Sequence, residues 1–251
     1  MAQAAGADRE TLLEIANITK EYGGLRPLRL QSLHVHRGSL IALLGFDAPA
    51  AELVTNLVTG AMLPDGGEIR LFGRSTADIG DPDEWLRSLD RIGIVTDRSV
   101  LLEEFSVAQN LAMALTLEID PLSPVLAEQA AAVSRDAGVE TALHVKVSTL
   151  SALDRVRVRF GRALALGPAL VIMEHPTATL AAHDVTAFAA TVRRTVEARE
   201  MGCVVLTADR QFAAAVAQEV FRLRPSDGAL ERSGGGWQRV RRLLGETHCA
   251  F

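Results

Sequence analysis

One glycine, one proline and two carboxylates mark the point where this chain turns from an apolar strand into a helix, in Gly45-Phe46-Asp47-Ala48-Pro49-Ala50-Ala51-Glu52-Leu53. The run Ser39-Leu40-Ile41-Ala42-Leu43-Leu44 before it reads as a buried strand. Glu52 to Gly60 after it reads as a helix with its apolar positions on one face and a terminal glycine. Strand, glycine, tight turn and helix are the setting of a phosphate-cradling loop, G-x-x-x-x-G-K-[ST]. Such a loop needs glycines whose N–H groups curl around the anion, and a lysine that neutralises it. Gly45 fills the first position here, but Ala50, Ala51 and Glu52 stand at the second glycine, the lysine and the hydroxyl. Ala48 and Ala50 disfavour positive φ, and Pro49 has no N–H to donate. Asp47 and Glu52 swing the charge of the stretch from the +1 of such a loop to −2. A unit charge at contact is worth about 1–4 kcal/mol between water-like and surface dielectrics, so tight binding of a triphosphate here is not expected. The same residues suit a self-capped helix, with Asp47 as N-cap and Pro49 and Glu52 in the first turn.

The elements that position this loop follow from pattern. Leu12–Thr19 and Leu30–His36 alternate apolar and polar residues as half-exposed strands do, and Pro64-Asp65-Gly66-Gly67 is a turn before a strand at Glu68–Phe72. Ile92-Gly93-Ile94-Val95, Ala169–Met173 and Val204-Val205-Leu206 read as further strands. Helical patterns cover Ser106 to Gly138, Arg155 to Leu166 and Val185 to Glu200. Buried strands alternating with helices imply a largely parallel sheet in an α/β fold. The 251 residues, 48% apolar and 23% charged, suffice for one large domain with a packed core. A net charge of −5 gives no global electrostatic case for nucleic acid. Cys203 and Cys249 form neither a disulfide framework nor a metal spacing, and Cys203 reads as core. There is no signal-like N-terminus and no 18-residue apolar run, so a membrane-spanning segment is not expected.

Taken in order, the landmarks resemble the nucleotide-binding subunit of an ATP-binding cassette (ABC) transporter, over nearly the whole chain. Tyr22 matches the aromatic residue on which adenine stacks, and Gly45 to Leu53 the phosphate loop. Leu63–Ile69 matches the turn after the first helix. Asp97 ends Ile92–Asp97 where the family has a glutamine that ligates magnesium and senses the permease. Leu150-Ser151-Ala152-Leu153-Asp154-Arg155 falls on the signature segment that begins LSGG. Leu170–Thr177 falls on the strand ending aspartate-glutamate-proline-threonine, and Thr207-Ala208-Asp209 on the switch histidine. The resemblance implies a P-loop NTPase (ABC ATPase) core with a mostly parallel sheet, an N-terminal antiparallel β-subdomain and an inserted helical subdomain. That is one cassette domain over 1–251, with its core at about 1–83 and 157–251 and the helical block at about 84–156.

The departures from the family pattern extend beyond the loop. Glu174 replaces the magnesium-associated aspartate, while Glu52 and Asp97 stand in place of its supporting hydroxyl and amide. These three carboxylates could form an unusual cation site, but dispersed, solvated carboxylates are the preferred reading and no metal is assigned. His175 replaces the glutamate that positions attacking water, and is read as a partly buried, hydrogen-bonded histidine. Ala208 cannot make the switch histidine's contact. Ser151 is kept and can cap its helix with Asp154 completing the box, but Ala152 and Leu153 replace the signature glycines. The vestigial nucleotide site is thus Tyr22, Gly45, Ala50, Ala51, Glu52, Asp97 and Ser151, beside vestigial catalytic positions Glu174, His175 and Ala208. Arg155, Arg159 and Arg162 share a helix face, read as solvated or salt-bridged. His34 and His36 share a strand face without a third ligand, and Trp237–Leu244 reads as a short basic amphipathic helix.

By resemblance, the expected role is a degenerate cassette subunit coupling to a transmembrane permease and pairing with itself or a competent cassette. It would sit in the cytoplasm, peripheral at the inner face of the membrane, with ATP and magnesium bound only if residual binding exists. The region Asp97 to Phe105 would face the permease. A working transporter ATPase and a soluble regulatory scaffold are the alternatives.

Overall fold

We describe residues 9–233 in a computed structural model. The tail Trp237–Leu244 and Cys249 lie outside the described residues. In chain order the elements are β1 Thr11–Lys20, β2 Leu28–His36, β3 Leu40–Leu44, α1 Ala48–Val58, β4 Gly66–Leu71, β5 Arg74–Ser75, α2 Pro82–Leu89 and β6 Ile92–Val95. There follow α3 Val107–Ala112, α4 Pro124–Ala137, α5 Ala152–Leu164, β7 Leu170–Glu174, α6 Ala182–Ala198, β8 Gly202–Thr207, α7 Arg210–Val216, β9 Glu219–Arg224 and β10 Ala229–Arg232.

Two sheets result. One has the order β2-β1-β4-β5 and is antiparallel throughout; the other has the order β10-β9-β3-β8-β7-β6. In the second sheet only β10 runs antiparallel, so both the N-terminal antiparallel sheet and the mostly parallel sheet are present as expected. The two-residue period of a strand explains how the layers pack. Leu40, Ala42, Leu44, Val171, Met173, Cys203 and Val205 point into one core with the helices α3 to α7. Their neighbours Ile41, Leu43, Leu170, Ile172, Val204 and Leu206 point into another, shared with α1, Trp85 of α2 and the antiparallel sheet. A sheet buried on both faces needs continuous apolar runs, which is why these strands do not alternate. Burial also pushes the Cys203 thiol up to about 12, as a core residue requires.

Close backbone approach fixes glycine at Gly67. Its φ is 84°, and a Cβ there would lie 2.3 Å from the Asn17 carbonyl oxygen. At Gly93 a Cβ would meet the Ala163 carbonyl oxygen at 2.4 Å, which lets β6 lie tightly against α5.

Two details differ from the sequence reading. Strand β6 belongs to the parallel sheet, although Ile92–Val95 lies within the range expected for the helical block. The helical pattern over Ser106–Gly138 is two helices, α3 and α4, separated by irregular chain. Ser106 and Gln109 close a capping box at the start of α3, and Gln109 Nε2 donates to the Ile119 carbonyl at 3.1 Å, holding the connection back. His34 is exposed and His36 is engaged with Thr11 Oγ1 at 3.1 Å, which agrees with reading the two as polar positions on a solvated strand face.

Candidate functional site

Gly45, Asp97, Glu174, His175 and Ala208 lie at the C-terminal ends of the parallel strands β3, β6, β7 and β8, the usual location of ligand sites in open α/β sheets. Gly45 leaves β3 with φ 97°, and Asp47 follows in extended conformation as the N-cap of α1. Its carboxylate accepts the Ala50 N–H at 2.9 Å. The helix start foreseen from the sequence is therefore present, and a carboxylate of the chain sits at the positive end of α1. Glu52 is not in the first turn, contrary to the sequence reading. Helix α1 begins at Ala48, so Glu52 is its fifth residue and projects toward the loop after β6.

There it meets Arg98, which sequence reasoning missed. Arg98 Nη1 pairs with Glu52 Oε2, and Nη2 pairs with Glu174 Oε2 at 2.6 Å. Glu52 and Glu174 are thus not dispersed and solvated. Glu174 ends β7 with a side chain only 6% exposed, and one guanidinium joins it to Glu52. Its other oxygen, Oε1, is buried without a hydrogen-bond partner. Asp97 is apart from this pair: it lines a small crevice with Arg159, His175 and Pro176, and its charge acts on Arg159. The signal for Arg98 in the sequence was weak, a lone arginine beside Asp97 with Glu174 76 residues downstream.

His175 has φ 43°, and its N–H donates to the Leu206 carbonyl at 2.8 Å. Its Nε2 is buried and makes no hydrogen bond, so the side chain is not the hydrogen-bonded histidine expected. Ala208 is exposed between two fixed neighbours. Thr207 Oγ1 accepts the Asp209 N–H at 3.0 Å, and Asp209 accepts from Thr177 Oγ1 at 2.8 Å and caps α7. That link ties the loop after β7 to the loop after β8.

Ser151 caps α5 by accepting the Asp154 N–H at 3.1 Å, and its hydroxyl donates to the Asp154 carboxylate at 2.8 Å. Arg155, Arg159 and Arg162, the three arginines read as sharing one face of α5, are half-buried, and Arg155 is salt-bridged as that reading allowed. Arg155 pairs with Glu103, Arg159 Nε donates to the Ser99 carbonyl at 3.1 Å, and Arg162 Nη1 donates to the Val100 carbonyl at 2.5 Å. Burial lowers the pKa of both Arg159 and Arg162. Together with Arg98 they anchor the segment after β6 on both sides.

An open cleft of about 750 Å³ lies beside the start of α1, lined by Tyr22, Arg26, Arg29, Gly45, Asp47 and Leu223 among others. Burial and then the Asp47 charge raise the Tyr22 pKa. Tyr22 and Gly45 therefore share one cleft, Glu52 and Glu174 share one guanidinium, and Ser151 stands on a separate helix.

A family model described as "ABC transporter" matches residues 28–178. The chain belongs to the ABC transporter family. A lipoprotein-releasing system ATP-binding protein LolD of Alcanivorax borkumensis is 30% identical to this cassette over 225 residues, covering 88% of this chain and 97% of that protein. The ribose import ATP-binding protein RbsA 2 of Agrobacterium fabrum is 32% identical over 174 residues, covering 68% of this chain and 34% of that protein. Among solved structures, CbiO1 of Clostridium perfringens superposes with a TM-score of 0.76 at 18% identity, covering 94% of this chain and 92% of that one. The cassette MJ0796 bound to ADP and Pi gives 0.69 at 23% identity, covering 88% and 97%. The ABC ATPase fold of this cassette is thereby established. Among the described residues, no helix is long and apolar enough to cross a membrane.

Proposed function

We propose that this cassette is a catalytically degenerate subunit of an ABC transporter. It acts peripherally at the inner face of the membrane, supporting a permease and a second cassette without hydrolysing ATP itself. The observation that carries this reading is Asp47: its carboxylate takes the Ala50 N–H at the start of α1, the kind of donor a bound phosphate would use. Pro49 removes a second donor, and α1 contains no lysine or arginine. A triphosphate would meet the Asp47 carboxylate with no cation on the helix to offset it. Magnesium fits no better, because Glu52 and Glu174 already share the Arg98 guanidinium. His175 has no phosphate clamp beside it against which to activate water, so its imidazole is not assigned as a base.

Partner coupling takes support from the curated relatives, which are named as ATP-binding proteins of lipoprotein-releasing and sugar-import systems. Their cargoes differ, and none is assigned here. A residual-ATPase reading draws on the surviving Tyr22 cleft. The two readings separate in a magnesium-dependent phosphate-release assay on the purified chain. The expected result is release indistinguishable from the protein-free blank, unchanged in Glu174→Gln and His175→Ala. Turnover that disappears in either variant would overturn the proposal in favour of a working ATPase.

A further inference from the structure

We propose that Arg98 is the resident cation of this site: its guanidinium takes the place of a divalent metal ion between Glu52 and Glu174, and excludes one. The proposal rests on the reading above only in taking these two carboxylates as the metal side of the ancestral site.

The argument begins with Glu174. The buried strand β7 ends on this carboxylate, whose side chain is 6% exposed, and a carboxylate so placed requires a cation or a proton. Two groups on separate elements supply the surroundings: Glu52 from α1 and Arg98 from the loop after β6. Arg98 reaches both with different nitrogens, Nη2 on Glu174 Oε2 at 2.6 Å and Nη1 on Glu52 Oε2. The Arg98 N–H also faces Thr96 Oγ1 at 3.4 Å, at the root of the same loop.

An arginine side chain carries five donors, no acceptor and a permanent charge, so it cannot itself ligate a metal. Magnesium needs oxygen ligands at about 2.0–2.1 Å in near-octahedral array. With the guanidinium hydrogen-bonded to Glu174 Oε2 and ion-paired with Glu52 Oε2, both facing oxygens are engaged, and an incoming dication meets a fixed positive charge. The same contact joins α1, the loop after β6 and the end of β7. An exposed Arg–Glu pair would mean little, and Arg98 and Glu52 are 42% and 48% exposed. The buried Glu174 end distinguishes this arrangement from a surface ion pair.

One further atom predicts what removal of Arg98 would do. Glu174 Oε1 is buried without a hydrogen-bond partner, so a chain lacking Arg98 would present both oxygens of Glu174, and Glu52, to a divalent ion. Manganese is the probe, titrated into the full chain without nucleotide and followed by loss of the free-ion EPR signal. Arg98→Ala is expected to bind Mn²⁺ at least tenfold more tightly than the natural chain, and Arg98→Ala/Glu174→Gln to lose that gain. Equal affinity in the natural chain and Arg98→Ala, or a gain that survives the loss of Glu174, would overturn the proposal.

A second measurement needs no variant. In the natural chain, Mn²⁺ is expected to leave the amide NMR signals of Glu52, Arg98 and Glu174 no broader than those of remote surface residues. Broadening centred on these three would overturn the proposal. Because nucleotide is absent throughout, ATP hydrolysis by the natural chain would sink the functional reading above without deciding this one.

Discussion

Arg98→Ala is expected to lower the free energy of unfolding by about 2 kcal/mol, and the companion change Glu174→Gln to recover at least half of that loss. Removing one partner of a fully buried ion pair costs roughly 3–5 kcal/mol, because the remaining charge stays in the interior unpaired. Here the expected cost is smaller, since Arg98 is 42% exposed and water can reach part of the site once it is gone. The amide of glutamine removes the stranded charge while keeping the volume, which is why the double variant should recover. Urea denaturation of the four proteins, the natural chain, the two single variants and the double, gives the coupling directly. Purely additive losses would mean that Arg98 and Glu174 do not act as a pair, and that the guanidinium is a surface group near the site.

The largest loss of stability should come from Phe188→Ala, about 4 kcal/mol, the range for deleting a buried aromatic ring. Phe188 on α6 stacks on Phe212 of α7, with ring centroids 5.6 Å apart and planes at 12°. It also meets the Phe160 ring of α5 edge-on at 6.2 Å and 87°. All three rings are fully buried, and three helices therefore share one aromatic joint against the parallel sheet. The site feels this joint from both ends. Helix α5 carries the arginines that hold the segment after β6, and α7 is capped by Asp209, which holds Thr177. A shift of the denaturation midpoint equivalent to less than 1 kcal/mol would show that the joint contributes little.

The elements closest to the site were the most legible, for a physical reason. Strands β3, β7 and β8 are buried on both faces, so their sequences are nearly uninterrupted apolar runs. The Asp47 cap could also be read, because a cap is a local contact between residues three apart. Elements with partly exposed, charged surfaces were missed. Helix α2 is polar over most of its length and buries only Trp85, so its pattern reads as loop until Asp81 is seen to cap it. Strands β9 and β10 alternate charges with few buried residues, and their ion pairs, Arg224 with Glu231 and Arg232 with Glu219, depend on folded register. Arg98 was missed for the same reason. Its two partners come from α1 and β7, and only the parallel order of β3, β8, β7 and β6 brings them within reach of the loop after β6.

The pattern of replacements also became more coherent in three dimensions. Asp47 and Arg98 supply, from the chain itself, an anion at the helix start and a cation between the carboxylates. On the proposed reading, this internal anion and internal cation take the two charged roles that a magnesium-bound triphosphate would fill. On this account the fold keeps its two-sheet frame, its anchored loop after β6 and its capped α5, while the nucleotide's contacts are made within the protein.

Calorimetric titration of the purified chain with Mg-ATP tests this account most directly. The account predicts no saturable heat with ATP up to about 1 mM, a limit that corresponds to binding weaker than about −4 kcal/mol. Saturable, magnesium-dependent binding in the micromolar range, abolished by substitutions in Gly45–Glu52, would contradict it.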